Sequence, residues 1–182
     1  WSTSINWEFG GKTQNIELGF TNPYLWDSNT LAGFNIYHTK RVYSTFDYQI
    51  YTNGASFRIG RPIDFINFGN IVGQYSLFAK KYEVTDWDDE ISDNLAKLDS
   101  LKWQYNSAYS ITISRDSRDN VFFPSSGSQI LLYSELAGGP FGGDFDYFKQ
   151  IAQVSWYTKT FWKLVLKTKW RFGYVKAYGD TK

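Results

Sequence analysis

Apolar and polar side chains alternate with a period of two residues along most of this chain. Only an extended strand places such a pattern on two opposite faces, so the alternation constrains the fold more than any other feature. Nine segments show it, and they predict an all-β protein with antiparallel strands: residues 1–9, 15–21, 32–39, 55–60, 70–79, 109–114, 130–136, 148–157 and 162–174.

The last of these segments is the clearest. Its apolar row is Trp162, Leu164, Leu166, Trp170, Phe172 and Tyr174, and its polar row contains Lys163, Lys167, Lys169 and Arg171. So many cations on one face are typical of a wall that borders water, and we expect these four side chains to face a water-filled lumen. Binding of an anionic ligand is the alternative interpretation of the same row.

The aromatic content separates two kinds of β protein. Aromatic residues make up 20% of the chain, whereas the mean hydropathy is −0.43 and no apolar run is long enough for a membrane-spanning helix. A soluble β-sandwich and a transmembrane β-barrel remain. Aromatic residues near both ends of the apolar rows favour the barrel, because barrels carry aromatic girdles at the two membrane interfaces.

Charge and composition exclude several functions. The net charge is +1, which argues against a nucleic-acid partner held by bulk electrostatics. The chain has no Cys and one His, His38, which excludes a disulfide scaffold, a cysteine nucleophile and a site with several His ligands. We therefore predict no catalytic residue, no cofactor and no metal ion.

The connections between the segments differ in length. Longer links at 40–53, 81–104 and 138–146 would share one end of an up-and-down barrel, and compact links at 22–30, 60–69 and 158–162 would share the other. The link 81–104 is acidic, which suggests either a solvated loop with a short helix over Ile91–Leu98 or a calcium site. Its acidic residues are Asp86, Asp88, Asp89, Glu90, Asp93 and Asp99.

The densest polar motif lies between the sixth and seventh segments. Opposite charges can pair there, and carboxylates can accept backbone N–H groups in a turn. Proline fixes one φ angle of the turn and glycine permits a positive one. Paired carboxylates acting as acid and base are the enzymatic alternative. The motif residues are Arg115, Asp116, Arg118, Asp119, Phe123, Pro124 and Gly127.

This motif, followed by Gly142-Gly143-Asp144, resembles the D-x-R-D…F-P-T-x-G signature of the BamA family of outer-membrane protein assembly factors; Ser125 stands where threonine is more usual. The resemblance implies a sixteen-stranded barrel behind POTRA domains, integral to the bacterial outer membrane, which inserts other barrel proteins and is not an enzyme. Residues 1–182 would be an inner portion of the C-terminal barrel, about its third to eleventh strand. A loop with V-R-G-F/Y would follow.

The resemblance also implies partners, namely outer-membrane lipid, nascent β-barrel proteins and accessory assembly lipoproteins. Two alternatives stay open at this point. A two-partner-secretion or TamA-like translocation barrel would share the motifs and the fold but carry another cargo. A soluble, aromatic-rich β-sandwich that binds carbohydrate would share only the alternation.

Overall fold

Nine antiparallel strands form one sheet in the computed structural model, which describes residues 1–45, 47–85, 97, 100 and 102–179. The prediction of nine strands is confirmed. The strands are β1 (Ser2–Phe9), β2 (Thr13–Asn22), β3 (Leu31–Tyr43), β4 (Tyr48–Pro62), β5 (Gly69–Val84), β6 (Gln104–Asp116), β7 (Gly127–Ala137), β8 (Tyr147–Lys159) and β9 (Val165–Ala177).

Each strand pairs only with its neighbours in sequence, in the order β1 to β9. This is the up-and-down order of an antiparallel barrel, and the sheet is an open arc whose two edge strands are β1 and β9. Within the described residues no second sheet packs on the first, so the β-sandwich alternative is wrong. Short 3-10 turns lie at Leu25–Asp27 and Gly139–Phe141, and no described helix is long and apolar enough to cross a membrane.

The register of the strands defines two faces, because directly opposed residues of an antiparallel pair lie on the same face. Ile36 of β3 is opposite Leu18 of β2 and Ala55 of β4, and Phe57 follows two residues after Ala55. This apolar face is open to the surroundings: Ile36 and Phe57 are each 53% exposed. An apolar surface of this extent needs a partner or lipid to cover it.

The other face carries the polar residues, and little of the interior is apolar. The most buried side chains are small ones, including Ala108, Ala137 and Ser155, which are 2%, 0% and 2% exposed. A sheet with small buried residues and large exposed ones is a barrel wall with its apolar face outward, since a soluble fold buries its large side chains. We call the apolar face the outer face and the polar one the inner face.

The start of the last strand corrects a prediction. β9 begins at Val165, whereas the alternation placed its start at Trp162. Trp162 has a φ of 60°, and the Thr160 N–H donates to the Leu164 carbonyl at 3.0 Å, so a turn precedes the strand. Lys163 therefore lies in this turn and is not part of the polar row of β9.

A second correction concerns the link predicted at 40–53. β3 and β4 continue to Tyr43 and from Tyr48, which leaves a connection of residues 44–47. The pattern ended early because Lys40 and Arg41 break the apolar alternation, while the backbone pairing of the strands continues. Residues 86–99, with the acidic side chains, the short helix and the alternative calcium site considered there, lie outside the described residues apart from residue 97.

Candidate functional site

The motif turn, residues 117–126, connects β6 to β7. Successive connections of an antiparallel sheet alternate between its two ends, so this turn shares one end with the connections 23–30, 63–68 and 160–164. These are the compact connections predicted from sequence. The motif residues thus meet at one rim of the wall, where they join neighbouring strands rather than surround a cavity.

Asp116 and Arg118 form a two-pronged ion pair at the start of the turn. The Arg118 Nε donates to Asp116 Oδ1 at 2.8 Å, and the terminal guanidinium nitrogen donates to Oδ2 at 2.5 Å. The Arg118 Nη1 also donates to the carbonyl of Val121 at 3.2 Å. Hydrogen bonding to Asp116 raises the pKa of Arg118, so the guanidinium stays charged. The same guanidinium links Asp116, at the start of the turn, to the backbone of Val121.

Asp119 holds the second half of the turn. Its Oδ1 accepts the backbone N–H groups of Ser125 at 2.8 Å and of Ser126 at 3.1 Å, and its Oδ2 accepts the Ser125 hydroxyl. These hydrogen bonds, with that of the Ser125 hydroxyl first, lower the pKa of Asp119 well below its usual range. Ser125, where threonine is usual in the family signature, still supplies the hydroxyl that this arrangement needs.

The two carboxylates therefore do not act together. Asp116 is bound to Arg118 and Asp119 to the Ser125–Ser126 backbone, so each has its own set of donors. Acid–base chemistry by paired carboxylates needs the two groups to share a proton or a substrate. The geometry is that of a turn held closed by hydrogen bonds and an ion pair, and it gives no support to the enzymatic interpretation.

Gly127 begins β7 with a φ of +103°, a conformation that L side chains rarely adopt. A Cβ built on it would lie 2.2 Å from the Ser117 carbonyl oxygen. The close approach allows the Ser117 N–H to donate to the Ser128 carbonyl at 2.9 Å. The prediction that Gly127 takes a positive φ is thus confirmed, and the reason is a backbone crossing where the turn closes.

Of the remaining motif residues, Arg115 lies near the end of β6, and Phe123 and Pro124 lie in the turn. Arg115 belongs to the outer face, and its Nε donates to the Asn67 carbonyl in the neighbouring connection at 3.2 Å. Phe123 is 86% exposed, and its N–H donates to Asn120 Oδ1 at 3.0 Å. Pro124 follows in the same turn, just before the serine that Asp119 binds.

The polar row of β9 lies on the inner face. Lys167, Lys169 and Arg171 are directly opposite Tyr157, Ser155 and Gln153 of β8. The Lys167 Nζ lies 5.4 Å from the centroid of the Tyr157 ring. The apolar residues Leu166, Trp170 and Phe172 occupy the other face of the same strand.

A cluster of polar side chains surrounds the Glu135 carboxylate on the inner face, and the sequence patterns did not predict it. Glu135 Oε1 accepts the Tyr147 hydroxyl at 2.6 Å and its Oε2 accepts the Tyr133 hydroxyl. The Asn106 amide donates to the Tyr147 oxygen at 3.2 Å, and the Lys149 Nζ lies 5.7 Å from the Tyr133 ring centroid. The sequence feature that could have identified this cluster is the register of the β7–β8 hairpin, which places Glu135 directly opposite Lys149.

Beyond this cluster, residues 138–146 fold back over the part of β6 that β7 does not cover. Asp144 Oδ2 accepts the Tyr105 N–H at 2.6 Å, and the Asp144 N–H donates to the Tyr105 carbonyl at 2.8 Å. The Gly138 N–H donates to the Ser107 carbonyl at 2.9 Å. The Gly142-Gly143-Asp144 segment thus forms hydrogen bonds with the edge of β6 that β7 leaves unpaired.

Among the described residues, no group of three or more His, Asp and Glu side chains could hold a metal ion.

Comparison with known proteins places this geometry in a family. Residues 1–182, the whole of this chain, match the Omp85 superfamily domain. The chain belongs to the Omp85 superfamily. It is an integral outer-membrane protein of the β-barrel class.

A curated protein is similar to this chain in sequence, and a solved structure is similar to it in fold. The outer membrane protein assembly factor BamA of Nitratidesulfovibrio vulgaris is 26% identical over 177 residues, which cover 94% of this chain and 21% of the relative. The crystal structure of BamA from Haemophilus ducreyi lacking POTRA domains 1-3 matches with a TM-score of 0.74 and 19% identity, over 97% of this chain and 36% of that one. This chain spans about a fifth and about a third of their lengths.

Proposed function

We propose that this chain belongs to an outer-membrane protein insertase, a barrel that folds other β-barrel proteins and inserts them into the outer membrane. The observation that carries the proposal is the full-length Omp85 match together with 26% identity to a BamA assembly factor. The hydrogen-bonded motif turn and the exposed apolar outer face support this proposal. Insertion of this kind breaks no covalent bond of the substrate.

Residues 1–182 would form an inner arc of the C-terminal barrel, about its third to eleventh strand. Strand addition at an unpaired sheet edge is the general way in which one chain templates another. In an insertase that edge belongs to the seam of the complete barrel, and this arc keeps the wall rigid around it. The nascent barrel proteins would be the substrates, with outer-membrane lipid and accessory assembly lipoproteins as the other partners.

The motif turn would lie at the periplasmic end, because the longest connection, between β5 and β6, leaves the opposite end of the sheet, and long connections are extracellular in outer-membrane barrels. Lys167, Lys169 and Arg171 would face the lumen. Their position opposite Gln153, Ser155 and Tyr157 supports this assignment, because all of these side chains share the polar inner face. Arg171 would then be placed to hold an inward-folded loop that contains the V-R-G-F/Y motif.

Depletion of the full-length protein in its host tests the proposal. We expect outer-membrane barrel proteins as a class to lose their folded, heat-modifiable forms, because an insertase serves many substrates. Loss of one secreted substrate with the other barrels intact would contradict the proposal and favour a two-partner-secretion barrel. Depletion of an unrelated outer-membrane porin is the control, and it should leave the assembly of the other barrels unchanged.

A further inference from the structure

Two lysines and a tyrosine form a row across three strands on the outer face. Lys40 of β3 is directly opposite Tyr51 of β4, and Tyr51 is directly opposite Lys81 of β5. The three residues continue the outer-face series of their strands, two residues beyond His38, Asn53 and Ala79. The Lys40 Nζ lies 5.4 Å from the centroid of the Tyr51 ring. We call Lys40, Tyr51 and Lys81 the basic row.

The basic row lies where the apolar surface ends. On β4 the outward side chains between Tyr51 and Arg61 are Asn53, Ala55, Phe57 and Ile59. Ten residues of strand span about 34 Å, and a tilt of about 40° reduces this to about 26 Å across the membrane. That agrees with the apolar band of about 25 Å found in outer-membrane barrels. Tyr51 and Arg61 thus mark the two headgroup levels.

The positive charge of the basic row is only partly balanced. Lys81 Nζ lies 3.7 Å from Glu83 Oε1, an exposed ion pair, and Glu83 Oε2 also accepts the Gln49 amide at 2.8 Å. Within the described part of the chain, no carboxylate lies within ion-pair distance of Lys40. Two cations and one carboxylate leave a net positive site that points toward lipid.

We propose that the basic row binds the phosphate of an anionic lipid headgroup. The Lys40 and Lys81 backbones are two strand spacings apart, about 10 Å, so both side chains can reach one phosphate between them. A tyrosine between the two lysines suits the same position, because the amphipathic rings of tyrosine and tryptophan concentrate at the headgroup level of a membrane. The outer-face position selects a lipid-borne phosphate over one dissolved in the lumen.

A matched pair of double variants tests this site in the full-length protein. Lys40→Gln with Lys81→Gln removes two outward charges. Arg41→Gln with Lys80→Gln removes two charges one residue away on the same strands, but on the inner face, where Arg41 and Lys80 border the same hollow. Both proteins are titrated in detergent with phosphatidylglycerol and with phosphatidylcholine, and retained lipid is counted by native mass spectrometry.

We expect each outward lysine to contribute about fivefold to phosphatidylglycerol affinity and the pair about 25-fold, with phosphatidylcholine unaffected. Glu83→Gln should strengthen binding, because it removes the competing carboxylate. An equal loss in the Arg41/Lys80 variant, or no loss in the Lys40/Lys81 variant, would overturn the proposal. So would full displacement of the lipid by inorganic phosphate, since the site would then take the free anion. Unchanged heat-modifiability confirms that both variants are folded.

Discussion

At the scale of single residues, the closure of the motif turn depends on the missing side chain of Gly127. We expect Gly127→Ala to lower the free energy of unfolding by more than about 1–3 kcal/mol, because backbone strain at a φ of +103° adds to a clash with the Ser117 oxygen. Urea unfolding in lipid vesicles measures the loss. Gly142→Ala is the control: its φ is +70°, but a Cβ there meets nothing within 4 Å. Equal losses would show that the crossing is unimportant.

Asp119 should make the stability of the turn depend on pH. Its pKa is lower in the folded protein than the usual carboxyl value of about 3.9, so its contribution is complete above that value and is lost as the pH falls through and below it. We therefore expect Asp119→Asn to flatten the decline in stability between about pH 4 and pH 2. Ser125→Ala should flatten it partly, since the Ser125 hydroxyl is the main cause of the shift. Superimposable pH profiles would contradict this role for Asp119.

At the scale of one strand, two adjacent positions of β4 separate the faces. Phe57 lies on the outer face near the middle of the apolar span, and Ser56 lies on the inner face. Phe57→Lys should destabilise the inserted protein by about 2–4 kcal/mol, whereas Ser56→Lys should cost less than about 1 kcal/mol. Equilibrium unfolding from vesicles compares the two. A larger loss for Ser56→Lys would reverse the assignment of the faces.

Strands were predictable from sequence where they cross the membrane and less so where they leave it. The alternation depends on whether each side chain faces an apolar or a polar environment, whereas strand pairing depends on the backbone. β3 therefore continues to Tyr43 although Lys40 interrupts its apolar row. The opposite error occurred before β9, where Trp162 and Leu164 extend the alternation through a turn. Of the motif turn, the roles of Asp119 and Gly127 followed from local turn chemistry. The Glu135 cluster needed the register between strands, which alternation alone does not supply.

At the scale of the whole molecule, the two unpaired edges predict what the isolated segment can do. β1 and β9 each pair on one side only, and unpaired backbone groups in lipid cost several kcal/mol each. Residues 1–182 expressed alone should therefore fail to form a protease-resistant, heat-modifiable species in vesicles, whereas the full-length protein should form one. A monomeric, protected form of the isolated segment would show that these edges are tolerated.

The consecutive order of the strands also bears on how such a wall could change over evolutionary time. Every strand from β2 to β8 has as its partners the strands directly before and after it in the chain. Duplication or deletion of one hairpin would alter the circumference of a barrel, yet it would leave every remaining strand pair with the partner it already had. The pore diameter of this architecture can therefore change in steps of one hairpin while the sequences of the other strands stay the same.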